Sequence, residues 1–263
     1  MEAPVTPLLA DRADPDVSVL LGSYNRYESL QRAVASVRDS VGPYSYEIVV
    51  CDGGSTDGSR EWLAGQPDVV LVGMRELKGA VRAFNQAWTV SRGRYIANFN
   101  DDAEYRDGAL EQALDILEHP DTAKVGQVAF SFNLKRWCWR VEAIHSHPYA
   151  NYGVARREVV EEVCAAQGGS AHYWNPIYHT YGGDSEHSCW VWRLGYEVAP
   201  LLTAKVHDGN AQDELRARND RHGDMGKPEA YTKHPDSMLF WSRWENPETL
   251  EADGPPVCTP PPT

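Results

Sequence analysis

The chain has 263 residues, 25 of them basic and 38 acidic, for a formal charge of −13. That length suits one large α/β domain, or one domain with an appendage. The acidic balance argues against general affinity for nucleic acid or anionic membrane, which need clustered Lys and Arg, but it excludes no anionic substrate, because a metal ion lets an acidic site hold one.

Residues 1 to 16 are acidic and Pro-rich and read as a loose lead-in without a secretory signal. VSVLLG (17–22) is a continuous apolar run, the pattern of a strand covered on both faces. SYNRYE follows as a loop, and ESLQRAVASVRDS sets Leu30, Ala33, Val34 and Val37 at helical spacing. EIVVC (47–51) is a second strand that runs into a Gly/Ser/Asp loop, SREWLAG a short helix, and VVLVG (69–73) a third strand. GAVRAFNQAWTVSRG (79–93) reads as a helix opened by Gly79, YIANF as a fourth strand, and GALEQALDILEH as a helix ended by Pro120. Strand and helix alternate, which predicts a doubly wound, mostly parallel α/β sheet with ligands at the carboxyl ends of its strands.

The pattern changes after residue 124. VGQVAFSFNLKRWCWRVEAI predicts longer, paired strands, and ARREVVEEVCAAQGG and GDSEHSCWVWRLGY predict helices. From His207 the chain is polar and loop-like, SMLFWSRW is a last aromatic segment, and PPVCTPPPT has the composition of a disordered tail. The five cysteines are scattered without a CxxC spacing, which predicts reduced thiols in a cytosolic protein rather than a disulfide framework or zinc site. No run approaches the roughly 18 apolar residues of a membrane span, so any work at the inner membrane would be done from its surface.

Three strand ends carry chemistry. Asp101 and Asp102 follow the fourth strand, where two acids hold a divalent cation or, in the plainer reading, cap a helix or face solvent. In CDGGSTDGS (51–59), Asp52 has the chemistry to accept from an imide N–H or from ribose hydroxyls, and Gly53 and Gly54 allow close backbone approach; the plainer reading is a tight turn with an N-cap at Ser55 or Asp57. Neither GxGxxG nor GxxxxGK[ST] is present. After the first strand, Tyr24 is placed to stack on a base and Arg26 to meet a phosphate.

These segments, with GRYIANFNDDAEY and YGGDSEHSCWVWRLGYEV, resemble in order and spacing the family 2 glycosyltransferases of the GT-A fold, over residues 17 to about 110 and again near 181–198. The resemblance implies a sheet with a smaller mixed acceptor-side sheet, in one domain over 17–245. Its nucleotide-sugar half would be 17–110, its acceptor half 111–245, and 246–263 a tail. It implies that Ser23, Tyr24 and Arg26 lie near the nucleotide, that Asp52 binds the base, that Gly79 and Arg82 lie near the ribose or diphosphate, and that Asn85 supports their helix. Asp101 would touch ribose or sugar, and Asp102 would hold the metal, with Asn100 where the family often has a third acid. Asp184 matches the catalytic base; Gly183 departs from the usual Glu, and Trp190 from a frequent Arg. Asp184 is also suited to cap its helix, and Glu186 is the rival base. A late histidine completes the metal site in many such enzymes, which points to His207, with Asp208 as the other choice; imidazole suits Mn²⁺ better than Mg²⁺.

The implied activity is inverting, metal-dependent transfer from a nucleotide-diphosphate sugar, most often UDP-linked, to a saccharide, lipid-linked or small-molecule acceptor. The implied cofactor is Mn²⁺ or Mg²⁺. The rivals are a nucleotidyltransferase, which needs a Gly-rich basic loop that LGSYNRYESL lacks, and a non-catalytic binding protein. Trp137, Trp139, Trp190 and Trp192 suit core packing better than a sugar-stacking wall. His145, His147, His172 and His179 lack a metal-ligand spacing, and 172–179 is a candidate acceptor-side lining.

Overall fold

The computed structural model describes residues 13–135, 138–209 and 234–245, together with Asp213, Leu215 and Leu250. Strands β1 (Val17–Ser23), β2 (Tyr46–Asp52), β3 (Val69–Gly73) and β4 (Tyr95–Asn100) are parallel and lie in the order β3-β2-β1-β4. All four match the apolar runs to within a residue. Their runs are continuous because both faces are covered: Val17, Val19 and Leu21 enter one core, and Leu20 the other. Helix α1 (Tyr27–Ser40) buries Leu30, Ala33, Val34 and Val37 in the first core. Beyond the short α2 (Ser59–Ala64), α3 (Ala80–Val90) buries Val81, Phe84, Ala87 and Trp88 in the second. Helix α4 (Ala109–Glu118) returns to the first core with Leu110, Leu114 and Leu117.

The chain steps outward from β1 to β3 and then comes back to set β4 on the other side of β1. That reversal opens a crevice between the carboxyl ends of β1 and β4, the place where open α/β sheets bind ligands.

The strands after β4 continue this sheet, and a separate smaller sheet completes the fold. β5 (Ala103–Arg106), β6 (Val125–Lys135), β7 (Cys138–Arg140), β10 (Gly153–Arg156) and β11 (Glu197–Asp208) extend it as β4-β10-β6-β11-β5, with β7 on β6. β10 is antiparallel to both β4 and β6, and β11 is parallel to β6. Two reversals restore the direction, so β6 and β11 end at the same edge as β1, β2 and β4. The separate small sheet is the antiparallel hairpin of β8 (Glu142–Ile144) and β9 (His147–Tyr149). It turns at His145 and Ser146, both in the left-handed region. β5 and β10 are too short to show a period, which is why the sequence pattern does not mark them.

Helices α5 (Arg157–Ala166), α6 (Gly183–Arg193) and α7 (Pro235–Trp244) contribute Val160, Cys164, Cys189, Phe240 and Trp244 to the second core. The aromatic segment near the end is thus a helix, started by Pro235 in its first turn and by the His234 ring, which accepts from the Asp236 N–H. Of the expected lead-in, residues 13–16 are described, and the carbonyls of Pro15 and Asp16 accept from the Arg94 and Tyr95 N–H groups. The expected tail lies outside the described residues except Leu250, which is buried in the second core. Cys51, Cys164 and Cys189 are free and buried; Cys258 lies outside the described residues. Among the described residues no helix is long and apolar enough to cross a membrane.

Candidate active site

The loops after β1 and β2 are fastened to each other. The Asn25 N–H donates to Ser55 Oγ at 2.9 Å, and the Thr56 N–H to Asn25 Oδ1 at 2.8 Å. Asp57 accepts from the N–H groups of Tyr27 and Ser59, the first residues of α1 and α2. One carboxylate therefore caps two helices, the plainer reading of this loop. Asp52 is fully buried and accepts from the Gly54 and Ser55 N–H groups, with Arg60 Nη1 3.8 Å from Oδ2. The same loop lets the backbone come close, as expected: a Cβ on Gly53 would lie 3.4 Å from that of Tyr24.

In the crevice, Arg26 stands among three carboxylates. Its Nη1 is 2.7 Å from Asp101 Oδ1 and 3.3 Å from Asp102 Oδ2, and its Nε is 2.7 Å from Asp213 Oδ2. The repulsion within the acid pair is partly offset by a cation from the β1 loop. Burial raises the Asp101 carboxyl, the Arg26 charge draws it back, and the Asp102 charge raises it again. Asp101 Oδ2 and the Ser23 hydroxyl are buried, and neither completes a hydrogen bond of standard geometry. Asp213 lies in the polar segment after β11, and nothing in the sequence singled it out.

The end of β11 comes to the same acids. The Gly209 N–H donates to the Asp102 carbonyl at 2.8 Å. Asp208 hydrogen-bonds the Tyr152 hydroxyl, which also accepts from the Asn100 amide at 3.1 Å. Burial, with the Asp208 and Asp102 charges, pushes that hydroxyl well above its ordinary range. His207 Nδ1 is 3.2 Å from Asn133 Oδ1, the atom that also accepts from the Asp208 N–H. That second bond identifies the Asn133 atom as the oxygen, which only accepts. Nδ1 must then carry the proton, which leaves a lone pair on Nε2 in the neutral ring. Histidines that bind metals are held in this way. Among the described residues no three acidic, thiol or imidazole side chains already form a metal-holding group; Arg26 stands between the acids.

The two candidate bases have different surroundings. Glu186 is wholly buried and accepts from the Asn175 amide at 2.7 Å, from Arg243 Nε and Nη2 at 3.0 Å each, from Trp244 Nε1 at 3.0 Å, and from the Tyr178 hydroxyl. It joins α6 to α7, and donors from Asn175, Tyr178, Arg243 and Trp244 take up both its oxygens. Asp184, in the first turn of α6, is partly exposed and accepts from the Ser185 N–H at 2.8 Å. The protein around it raises its carboxyl to about 6, and the Ser185 bonds only partly offset this burial.

Three further expected residues lie on or at the start of α3. Gly79 opens α3 with φ +88°, but it faces His179, whose carbonyl accepts from the Val81 N–H at 3.2 Å. A Cβ there would come within 2.4 Å of that carbonyl oxygen. Arg82 is exposed. Asn85 holds the Trp174 backbone by two bonds of 2.8 Å. Tyr173 and Trp174 do not line an acceptor cleft; they are buried against Trp88 and Phe84. Trp190 packs on Trp244, and Trp192 donates to the Pro148 carbonyl. Trp139 is exposed, with Lys205 Nζ over its ring, and Trp137 lies outside the described residues.

A doubly wound sheet whose switch point carries an acid pair, extended by strands of mixed direction, has the GT-A fold. The family model described as "Glycosyl transferase family 2" matches residues 18–175, and the chain belongs to that family. Among similar proteins, TuaG of Bacillus subtilis (strain 168), a glycosyltransferase named for teichuronic acid biosynthesis, is 33% identical over 107 residues, 39% of this chain and 42% of TuaG. The succinoglycan biosynthesis protein ExoO of Rhizobium meliloti (strain 1021) is 31% identical over 111 residues, 41% of this chain and 31% of ExoO. The matches thus span less than half of each relative. Two solved structures share the fold. The mannosyltransferase PcManGT of Pyrobaculum calidifontis, in complex with GDP-Man and Mn²⁺, has a TM-score of 0.59 at 20% identity, over 90% of this chain and 72% of that one. S. aureus TarS 1–349 in complex with UDP has a TM-score of 0.53 at 14% identity, over 73% of this chain and 60% of that one.

Proposed function

We propose that this glycosyltransferase moves a sugar from a nucleotide-diphosphate donor, most simply a UDP-sugar, to an acceptor hydroxyl with inversion, and that a divalent cation takes part. The observation that carries this reading is the Arg26–Asp101–Asp102 cluster at the switch point. It is a place built for negative charge on the protein with positive charge between. The structural neighbours in complex with GDP-Man and Mn²⁺, and with UDP, support this class of donor.

The donor set fits a cation such as Mn²⁺: the Asp102 carboxylate supplies oxygen, and His207 supplies an Nε2 lone pair in a fixed tautomer. When bound, the cation offsets the charge that builds on the departing nucleoside diphosphate. Asp52, at the base of the joined loops, would accept from the nucleobase, with Tyr24 and Ser23 beside it. Asp101 would accept from ribose or sugar hydroxyls. Arg26, released from the acids, would meet the diphosphate, and Arg82 would add a charge from α3. Asp184 takes the proton of the acceptor hydroxyl as that oxygen attacks the anomeric carbon from the face opposite the leaving group. The residues lie in one domain over 17–245, with the donor held by 17–110 and the acceptor by 111–245.

The test is a thermal-shift screen of UDP- and GDP-sugars with Mn²⁺, followed by calorimetry in EDTA and by NMR of the product anomer. The reading expects one nucleotide sugar to stabilise the protein, its affinity to fall in EDTA, and the anomeric configuration to invert. Equal affinity in EDTA would remove the metal role, and a retained anomer would remove Asp184 as base for an inverting step.

A further inference from the structure

We propose that the cavity between the β8–β9 hairpin and α7 is the acceptor subsite and that it takes a neutral, hydroxyl-bearing sugar ring; this rests on the glycosyltransferase reading above. The cavity has a volume of about 370 Å³, and its wall includes Arg140, Glu142, Tyr149, Ser185, Ser237 and Trp241. That size lies in the range of small-molecule sites.

Position is the first argument. Ser185 is part of the wall, and its N–H and hydroxyl both bond Asp184 Oδ1. A ligand in the cavity therefore lies one residue from the proposed base. The second argument is an unmet hydroxyl. Ser237 is 2% exposed, and its Oγ has no hydrogen-bond partner. Buried polar groups are nearly always paired, so a hydroxyl of this kind in a cavity wall is a place for a ligand's polar atom. The third is an aromatic face. In α7, Phe240 and Trp244 are buried, but Trp241 is 40% exposed and belongs to the same wall.

The chemistry of the wall selects the class. A sugar ring offers a C–H face to an aromatic surface and hydroxyls around its edge. Trp241 and Phe240 supply the first need. Glu142 supplies the second, held in place by Arg140, by the Tyr149 hydroxyl, and by the Asn151 amide at 3.1 Å from Oε2. An anionic acceptor fits less well, since among the described residues Arg140 is the one cation in this wall and is paired with Glu142. A larger cavity, about 510 Å³, lies at the far end of the sheet beside the start of β4. Its arginines, Arg94, Arg156 and Arg157, are engaged with Asp16, Glu118 and main-chain carbonyls.

The experiment uses the full chain labelled with ¹⁵N at tryptophan. The indole N–H spectrum is followed, without nucleotide, during titration with methyl glycosides of glucose, galactose, mannose and N-acetylglucosamine, and with cellobiose and chitobiose. The Trp241 resonance is assigned by its loss in Trp241→Phe. At least one sugar is expected to shift that resonance saturably. Trp241→Ala should weaken this binding about ten-fold, on the order of one aromatic contact, and Ser237→Ala several-fold. The proposal is overturned if no sugar moves the Trp241 resonance, or if both alanine variants bind the sugar as tightly as the parent. Because no nucleotide is present, that failure is separate from a failure of the donor screen, and each is read without the other.

Discussion

Arg26 and Asp101 meet across the switch point, Nη1 to Oδ1 at 2.7 Å, with side chains only 10% and 5% exposed. The contact joins the loop after β1 to the end of β4, and the same guanidinium reaches Asp102 and Asp213. Removing the cation from buried partners leaves their charge without compensation. Arg26→Leu is expected to lower stability by about 3 kcal/mol, within the range for breaking a buried ion pair, as measured by urea denaturation. Mn²⁺ should restore more stability in this variant than in the parent, since a cation then relieves Asp101 and Asp102. Equal Mn²⁺ effects in both proteins would show that the acids do not take a cation.

Asp184 sets the expected pH dependence. A base must be unprotonated to act, and burial raises this carboxyl to about 6. Transfer should therefore fall as pH drops through 6 and level off above it. Asp184→Asn should keep nucleotide-sugar affinity and lower the transfer rate by about 10² to 10⁴, and the pH step should vanish from what remains. Near-parental transfer by this variant would place the base elsewhere.

Glu186 should behave as a structural residue. Glu186→Gln keeps the shape but leaves Arg243 without its buried counter-charge. The expected cost is about 3 kcal/mol, and Asp184→Asn should cost far less, because Asp184 is partly exposed and bonds only its neighbour Ser185. Comparison of the two urea midpoints distinguishes the roles.

Asn133 holds His207 by Nδ1 and so sets which nitrogen is free. Asn133→Ala is expected to weaken Mn²⁺ binding by about 10- to 100-fold, the usual effect of losing a partner behind a metal ligand, as read by calorimetry without donor. Unchanged affinity would remove His207 from the metal site.

Gly79→Ala tests the junction between α3 and the segment before the base. The residue has φ +88°, and an added Cβ would lie 2.4 Å from the His179 carbonyl oxygen. A loss of at least about 1 kcal/mol in thermal or urea unfolding is expected, and a neutral substitution would mean that this contact is loose.

The sequence alone determined the parallel half. Continuous apolar runs and helical stripes repeat over enough residues to identify β1 to β4, α1, α3 and α4, because burial on both faces leaves a local record in every strand. It also placed Asp52, Asp101 and Asp102 at strand ends, where the fold gathers ligands. Tertiary structure alone decided what each of these groups touches. Asp184 and Glu186 are two residues apart, both carboxylic acids and on one helix, and only packing buries one against Arg243 and Trp244 and leaves the other at a surface. Arg26 and Asp213 are far apart in sequence, and their meeting beside the acid pair depends on tertiary contact between distant segments. Local patterns record which faces are buried. Pairing of charges depends on contacts between distant segments, which a single chain's periodicity does not encode.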